Sequence, residues 1–295
     1  MHTQCKTITT LAGVAAGLTT VAAMGQDNCP EGIFDDGTAY GVGADPNDLA
    51  AGDLNNDGHP DLVTANSSDN VSVLFSKGEG AFQPAMHFDA GADPTSVAIG
   101  DLNGDNYAGL AVANDGGMSV SVLFNNAKPD APGFQPAVNI DVAGNPFDIE
   151  IGDVNQDGAA DIVTAPFTQK VNELSLLLNN GDGTFQPVQM VDAGIGNNLP
   201  MALDIGDVDN NDALDFVVVN AGQISVVLGN GDGTFQPPMI VDASAGSTPI
   251  EAVLGDINGD DDLDILSTAV GGGGETTVLL GDGDGTFQET GQLFG

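Results

Sequence analysis

Five short segments hold most of the residues that could do chemistry: GDLNNDGHPDLV at 52–63, GDLNGDNYAGLAV at 100–112, GDVNQDGAADIV at 152–163, GDVDNNDALDFV at 206–217 and GDINGDDDLDIL at 255–266. Counted from the leading Asp, each places side-chain oxygens at positions 1, 3 and 5. The sets are Asp53, Asn55 and Asp57; Asp101, Asn103 and Asp105; Asp153, Asn155 and Asp157; Asp207, Asp209 and Asn211; and Asp256, Asn258 and Asp260. Alternate residues of a tight loop can turn their oxygens inward together, and hard oxygen donors in such number suit Ca²⁺, which takes roughly six to eight. A closing carboxylate follows at position 9 in Asp61, Asp161, Asp215 and Asp264, whereas the second copy has Gly109 there.

Position 7 is His59, Tyr107, Ala159, Ala213 or Asp262, a set without common side-chain chemistry, so it offers a metal only its backbone carbonyl. Position 6 is Gly58, Asn106, Gly158, Asp212 or Asp261, residues that accept left-handed backbone. An EF-hand needs Glu at position 12 and flanking helices, but the first copy has Thr64 there, inside strand-like LVTAN. Turn preference alone accounts for Asp and Asn in general. It does not account for Asp at position 1 in every copy. The expectation is up to five bound Ca²⁺, with the second loop the weakest or empty.

The elements that position these loops follow from periodicity. The copies begin 48, 52, 54 and 49 residues apart. A Pro precedes each leading Asp by seven residues, at Pro46, Pro94, Pro146, Pro200 and Pro249, and a Phe-Gln pair follows at Phe82, Phe134, Phe185, Phe235 and Phe287. Within the first unit, strands are expected over Pro46 to Gly52, Leu62 to Ala65, Val71 to Phe75 and the stretch after Phe82. Four strands on a period near fifty residues describe an all-β propeller of four-stranded blades, five in number. The Gly-Asp-Gly before most of the Phe residues reads as a hairpin turn, because Asp-Gly tolerates positive φ. Residues 34–44 look like the last strand of a preceding unit, and 287–294 supply a second such strand, so the expectation is a closed ring sealed by a terminal strand.

Composition narrows the function. With 43 Asp plus Glu against 4 Lys plus Arg, the net charge is −39, so nothing can cluster to bind nucleic acid or an anionic membrane. Charged residues are only 16% and hydrophobic residues 41%, which excludes a disordered acidic chain. Residues 1–25 carry Lys6, an apolar run from Ile8 to Met24 and a small-residue site at Ala23-Met24-Gly25, the pattern of a signal peptide. Export to the periplasm or extracellular space is therefore expected, with 26–295 as one domain. Cys5 would leave with the signal and Cys29 would stand alone, giving no intrachain disulfide.

The DxNxDGxxD loop, leading from one strand to the next on this period with GDGTF after it, resembles the FG-GAP or VCBS repeats of integrin-α-type β-propellers. The resemblance covers residues 31–295. It implies one Ca²⁺ in the loop between two strands of a blade, with ligands at Asp53, Asn55, Asp57 and Asp61; Asp153, Asn155, Asp157 and Asp161; Asp207, Asp209, Asn211 and Asp215; and Asp256, Asn258, Asp260 and Asp264. The second loop offers Asp101, Asn103 and Asp105. The integrin domain has seven blades, whereas this chain has residues for five.

Three function classes compete: an exported calcium-stabilised binding or adhesion module for a protein or surface partner, a calcium-dependent lectin, and a carboxylate-based enzyme acting on glycans. Absence of Arg, the presence of only His59 and His87 beyond the signal, and repeat positions that already account for nearly every clustered Asp lead to the expectation that the chain is not an enzyme. With no Trp and only Tyr40 and Tyr107, the lectin reading comes second to the binding module.

Overall fold

The computed structural model describes residues 38–128, 132–168, 173–194, 200–220, 222–241, 248–270 and 276–289. The expected signal peptide, Cys29, residues 34–37 and the tail of the expected terminal strand at 290–294 lie outside them. Five four-stranded antiparallel sheets follow one another along the chain, and the described residues contain no helix. The first blade is β1 (Pro46–Gly52), β2 (Asp61–Asn66), β3 (Asn70–Leu74) and β4 (Met86–Asp89). The second is β5 (Pro94–Gly100), β6 (Gly109–Asn114), β7 (Ser119–Leu123) and β8 (Val138–Asp141). The third is β9 (Pro146–Gly152), β10 (Asp161–Pro166), β11 (Glu173–Leu177) and β12 (Gln189–Asp192). The fourth is β13 (Pro200–Gly206), β14 (Asp215–Asn220), β15 (Gln223–Val227) and β16 (Met239–Val241). The fifth is β17 (Thr248–Gly255), β18 (Asp264–Val270), β19 (Thr276–Gly281) and β20 (Phe287–Glu289). Each blade is a meander in chain order, so the expected strands of the unit are all present.

Burial explains which residues form which strand. Second strands such as DFVVVN of β14 and GLAVAN of β6 are buried at every residue, because neighbouring blades cover both faces. A strand buried on both faces needs a continuous apolar run, not alternation. Outer strands such as MHFD and VNID are mostly exposed, as befits a rim. Four apolar clusters fill the spaces between consecutive blades, including Phe75 with Leu110, Leu102 with Ile162, Leu176 with Phe216, and Val219 with Ile265.

The Gly-Asp-Gly segments are turns, as expected. Gly181 and Gly183 have φ of 79° and 82°. The N–H and hydroxyl of Thr184 both donate to Asp182 Oδ1, at 3.0 and 2.6 Å. Thr234 repeats this on Asp232 and Thr286 on Asp284. The hydroxyl bond holds these exposed carboxyls below the usual range.

The expected seal by a terminal strand rests on residues 34–44 and 287–294, of which only 38–44 and 287–289 are described. The fifth blade is completed by its own β20, and residues 38–45 form no strand before β1. Instead they run beside the first blade: Tyr40 stacks edge-on against Phe82 at 5.4 Å and its hydroxyl accepts the Phe82 N–H. Among the described residues no apolar cluster joins the fifth blade to the first, and the expected closure of the ring by residues 34–44 or 287–294 falls partly on 34–37 and 290–294, outside the described residues.

Candidate metal loops

Each Asp-rich loop joins the first strand of a blade to the second. It springs from one cross-strand pair, Gly52 with Asp61, Gly152 with Asp161, Gly206 with Asp215 and Gly255 with Asp264, where the second member is position 9. In the second blade the pair is Gly100 with Gly109.

All five loops share one hydrogen-bond scheme. The position-1 carboxylate accepts N–H groups from positions 5 and 6, as at Asp53 (from Asp57, 3.1 Å, and Gly58, 2.8 Å) and Asp207 (from Asn211, 3.0 Å, and Asp212, 2.8 Å). Asp101, Asp153 and Asp256 do the same. The position-5 side chain accepts the N–H of position 7, from His59, Tyr107, Ala159, Ala213 or Asp262. Position 6 has positive φ in every loop, as its residue types require, from 64° at Asn106 to 88° at Gly158. Position 4 is left-handed too, at Asn56, Gly104, Gln156, Asn210 and Gly259. The sequence hid this second left-handed residue because Asn and Gln there signal it only weakly.

Position 9 has a role that the ligand reading missed. Asp61 accepts the N–H of Leu54 at 3.0 Å on one oxygen and that of Ser76 at 2.7 Å on the other. Asp161 links Val154 and Asn179, Asp215 links Val208 and Gly229, and Asp264 links Ile257 and Gly281. Each of these fully buried carboxylates thus ties its loop to the end of the third strand. Burial, opposed by these N–H groups, pushes Asp161 and Asp215 up to about 6 and also raises Asp61.

Fit to a cation is clearest in the fourth blade. Carboxylate oxygens of Asp207, Asp209 and Asp215 lie within 4.8 Å of one another. Asp209 Oδ1 is buried and has no hydrogen-bond partner. Desolvating such an oxygen is costly unless something positive meets it, and burial accordingly raises the Asp209 carboxyl. In the other loops position 3 is Asn, and Asn103, Asn155 and Asn258 donate to Asp105, Asp157 and Asp260 at 3.0, 2.9 and 2.8 Å. Asn55 accepts the Asp57 N–H at 2.9 Å.

Neighbouring loops also touch. Asn56 Nδ2 donates to the Asn106 carbonyl at 3.2 Å, Gln156 Nε2 to that of Asp212 at 2.7 Å, and Asn210 Nδ2 to Asp262 Oδ1 at 2.7 Å. Gly104 leaves the second-to-third junction without such an amide. His87, exposed on β4, lies with Nδ1 2.9 Å from the buried Ser72 Oγ.

Comparison with known proteins agrees with this construction. The model of the FG-GAP-like repeat matches residues 53–112, 153–218 and 207–267, more than half of the chain. No curated protein matches. Among solved structures, an Agrocybe aegerita lectin described as specifically recognising non-reducing terminal N-acetylglucosamine aligns at 25% identity and a TM-score of 0.59, over 83% of this chain and 64% of the lectin. The chain thus spans under two thirds of that relative's length. The periplasmic gluconolactonase PpgL of Pseudomonas aeruginosa aligns at 17% identity and a TM-score of 0.60, over 82% of this chain and 68% of that one. A Lactobacillus plantarum protein aligns at 15% identity and a TM-score of 0.56, over 84% and 70%.

The second likeness corrects the expectation that the chain is not an enzyme. An enzyme is built on this same fold, so scarce histidines and repeat-bound aspartates do not argue a propeller out of catalysis. Both binding and catalysis are open to the fold.

Proposed function

The chain belongs to the FG-GAP-like repeat family, and on that premise we propose that it is an exported propeller whose loops bind Ca²⁺ and which acts as a binding module at a surface or in the extracellular space. The observation that carries the metal is the fourth loop, where three carboxylates converge and one buried oxygen lacks a partner. Asp207, Asp209, Asn211 and Asp215 would hold the ion there, with the Ala213 carbonyl. The corresponding positions of loops one, three and five would hold three more: Asp53, Asn55, Asp57, Asp61 and the His59 carbonyl; Asp153, Asn155, Asp157, Asp161 and the Ala159 carbonyl; Asp256, Asn258, Asp260, Asp264 and the Asp262 carbonyl. In the second, Asp101, Asn103 and Asp105 lack a closing carboxylate.

What bound Ca²⁺ supplies is positive charge where each loop gathers carboxylates that otherwise repel. The chain's own residues do the rest. N–H groups at positions 5 and 6 orient the position-1 carboxylate, and position 9 anchors the loop to the third strand.

A glycan is the ligand class favoured by a specific observation, the 25% identity with a lectin, whose N-acetylglucosamine specificity belongs to that protein. The test is a glycan array and a calcium titration on the same preparation. Calcium-dependent glycan retention abolished by EDTA supports both parts. Calorimetry without calcium uptake overturns the metal reading, and an array without binding overturns the glycan reading alone.

A further inference from the structure

The Asp-rich loops are not isolated from one another: amide side chains cross each of the four junctions between consecutive blades. At the first two junctions a buried Asn just past a third strand makes the crossing. Asn125 donates from Nδ2 to the Leu54 carbonyl, position 2 of the first loop, at 2.7 Å and to the Ala108 carbonyl, position 8 of the second, at 2.9 Å. Asn179 does the same for Leu102 of the second loop and Ala160 of the third, both at 2.9 Å. Blades four and five carry Gly229 and Gly281 at that place. There the crossing falls to the exposed amide at position 4, from Gln156 of loop three to the Asp212 carbonyl and from Asn210 of loop four to Asp262 Oδ1.

These bonds end on the groups that orient the candidate ligands. The Asp212 carbonyl shares its peptide unit with the Ala213 N–H, which donates to Asn211 at 2.7 Å. The Asn106 carbonyl, which accepts from Asn56, shares one with the Tyr107 N–H, which donates to Asp105 at 2.9 Å. The Leu102 carbonyl shares one with the Asn103 N–H, which donates to Asp101 at 3.2 Å. Accepting a hydrogen bond at the carbonyl polarises a peptide unit and strengthens its N–H as a donor. At the last junction the path is shorter, because the Asp262 N–H itself donates to Asp260 at 3.1 Å.

The donors are tied to ligands in their turn, since position 4 stands between positions 3 and 5. Gln156 lies between Asn155 and Asp157, and Asn210 between Asp209 and Asn211. Both have φ of 57°, so their amides are aimed by the same loop path that turns the neighbouring oxygens inward. A cation that orders positions 3 and 5 of one loop thereby fixes the amide that orders the next.

Taking the loops as Ca²⁺ sites, the reading on which this step rests, we propose that they form one coupled belt: Gln156 and Asn210 are positioning residues through which an ion in one loop raises the affinity of its neighbour. The first ion meets most of the ordering cost of the shared bonds, and later ions meet less of it. Linkage makes the effect reciprocal, so loop four acts on loop three as strongly as loop three acts on loop four.

The test is calcium calorimetry on the full chain after removal of metal with EDTA and dialysis, with circular dichroism to confirm the β-fold of each variant. The native isotherm should be steeper than independent sites allow, with a Hill slope above about 1.5. Gln156→Met/Asn210→Leu keeps the bulk but loses both amides, and its slope should fall toward unity with the number of ions unchanged. Gln156→Asn, which retains an amide of the kind found at Asn56 and Asn210, should keep the native slope. Emptying loop four by Asp207→Ala should weaken the remaining sites about fivefold in the native background and about twofold or less without the amides. Amides that only stabilise the fold would lower the melting temperature and leave that ratio alone. Calcium uptake with unit slope in the native chain, or coupling unchanged in Gln156→Met/Asn210→Leu, overturns the belt and leaves the metal reading standing. Absence of calcium uptake overturns both.

Discussion

The fourth and second loops have the same backbone path but different anchors. Asp215 closes the fourth loop by taking N–H groups from Val208 and Gly229, and beside it Asp207 and Asp209 crowd their oxygens together. In the second loop Gly109 takes that place, yet Asp101 still accepts from Asp105 and Asn106 and position 6 still turns left-handed. The loop shape therefore does not need the ninth carboxylate. What that carboxylate adds is a bond to the third strand and charge for a cation.

The largest effect should come from withdrawing calcium. If four anchored loops fill, each site contributes about 2.7 kcal/mol at a hundred times its Kd, which together rivals the ~5–15 kcal/mol net stability of a domain. Melting in EDTA should fall by more than about 10 °C relative to millimolar CaCl₂. Asp207→Ala should remove part of that shift and Asp101→Ala almost none. Equal losses from the two variants would erase the distinction between the loops.

Next in size is the anchor itself, measured without metal. Asp215→Ala strips two buried N–H groups of their acceptor and should cost about 2–5 kcal/mol in EDTA. Asp105→Ala, in the unanchored loop, should cost about 0.5 kcal/mol or less. Urea unfolding of both variants in EDTA checks this, and a small loss for Asp215→Ala would make position 9 a metal ligand and nothing more.

A pH dependence follows from the same anchors. Asp161 and Asp215 sit near 6 in the fold against an ordinary carboxyl value of 3.8, so the folded state binds more protons than the unfolded one between those values. Their contribution is fully present below about 4 and is lost as pH rises through about 6. In EDTA the native chain should lose stability across that window, and Asp161→Asn/Asp215→Asn should flatten the profile there. With calcium present the trend reverses, because the ion binds only the ionised form.

Smaller again is the amide belt. Gln156→Ala removes the bond to the Asp212 carbonyl and should cost about 0.5–1 kcal/mol. The second-to-third junction already lacks that bond at Gly104, so Gly104→Asn, which supplies the amide found at Asn56 and Asn210, tests whether its absence matters. A Cβ there would stand 3.0 Å from the Gly181 carbonyl, in a backbone with φ of 70°, and the variant should lose stability rather than gain it.

Much of this was legible before any coordinates. The repeat spacing placed every strand of a unit to within a few residues, and the residue types at position 6 foretold its left-handed backbone. The oxygens at positions 1, 3 and 5 were found because a loop acts locally, within five residues. The position-9 anchor escaped because its second partner, such as Gly229 for Asp215, lies 14 residues away on another strand.

The smallest effect concerns Gly109 itself, and here the structure reverses an expectation drawn from charge alone. Adding a carboxylate by Gly109→Asp should strengthen the second loop if only ligand number counts. A Cβ at this position, however, would stand 2.9 Å from the Leu123 carbonyl oxygen, a backbone atom of the adjacent β7 that cannot swing aside. Strand β7 would have to retreat before the new carboxylate could reach the Leu102 N–H. We expect Gly109→Asp to leave calcium stoichiometry unchanged and to lower the melting temperature by a few degrees in EDTA, with Gly109→Ala lowering it similarly. Calorimetry showing an additional tight site in Gly109→Asp would mean that β7 yields, and that the difference between the second and fourth loops lies in one side chain.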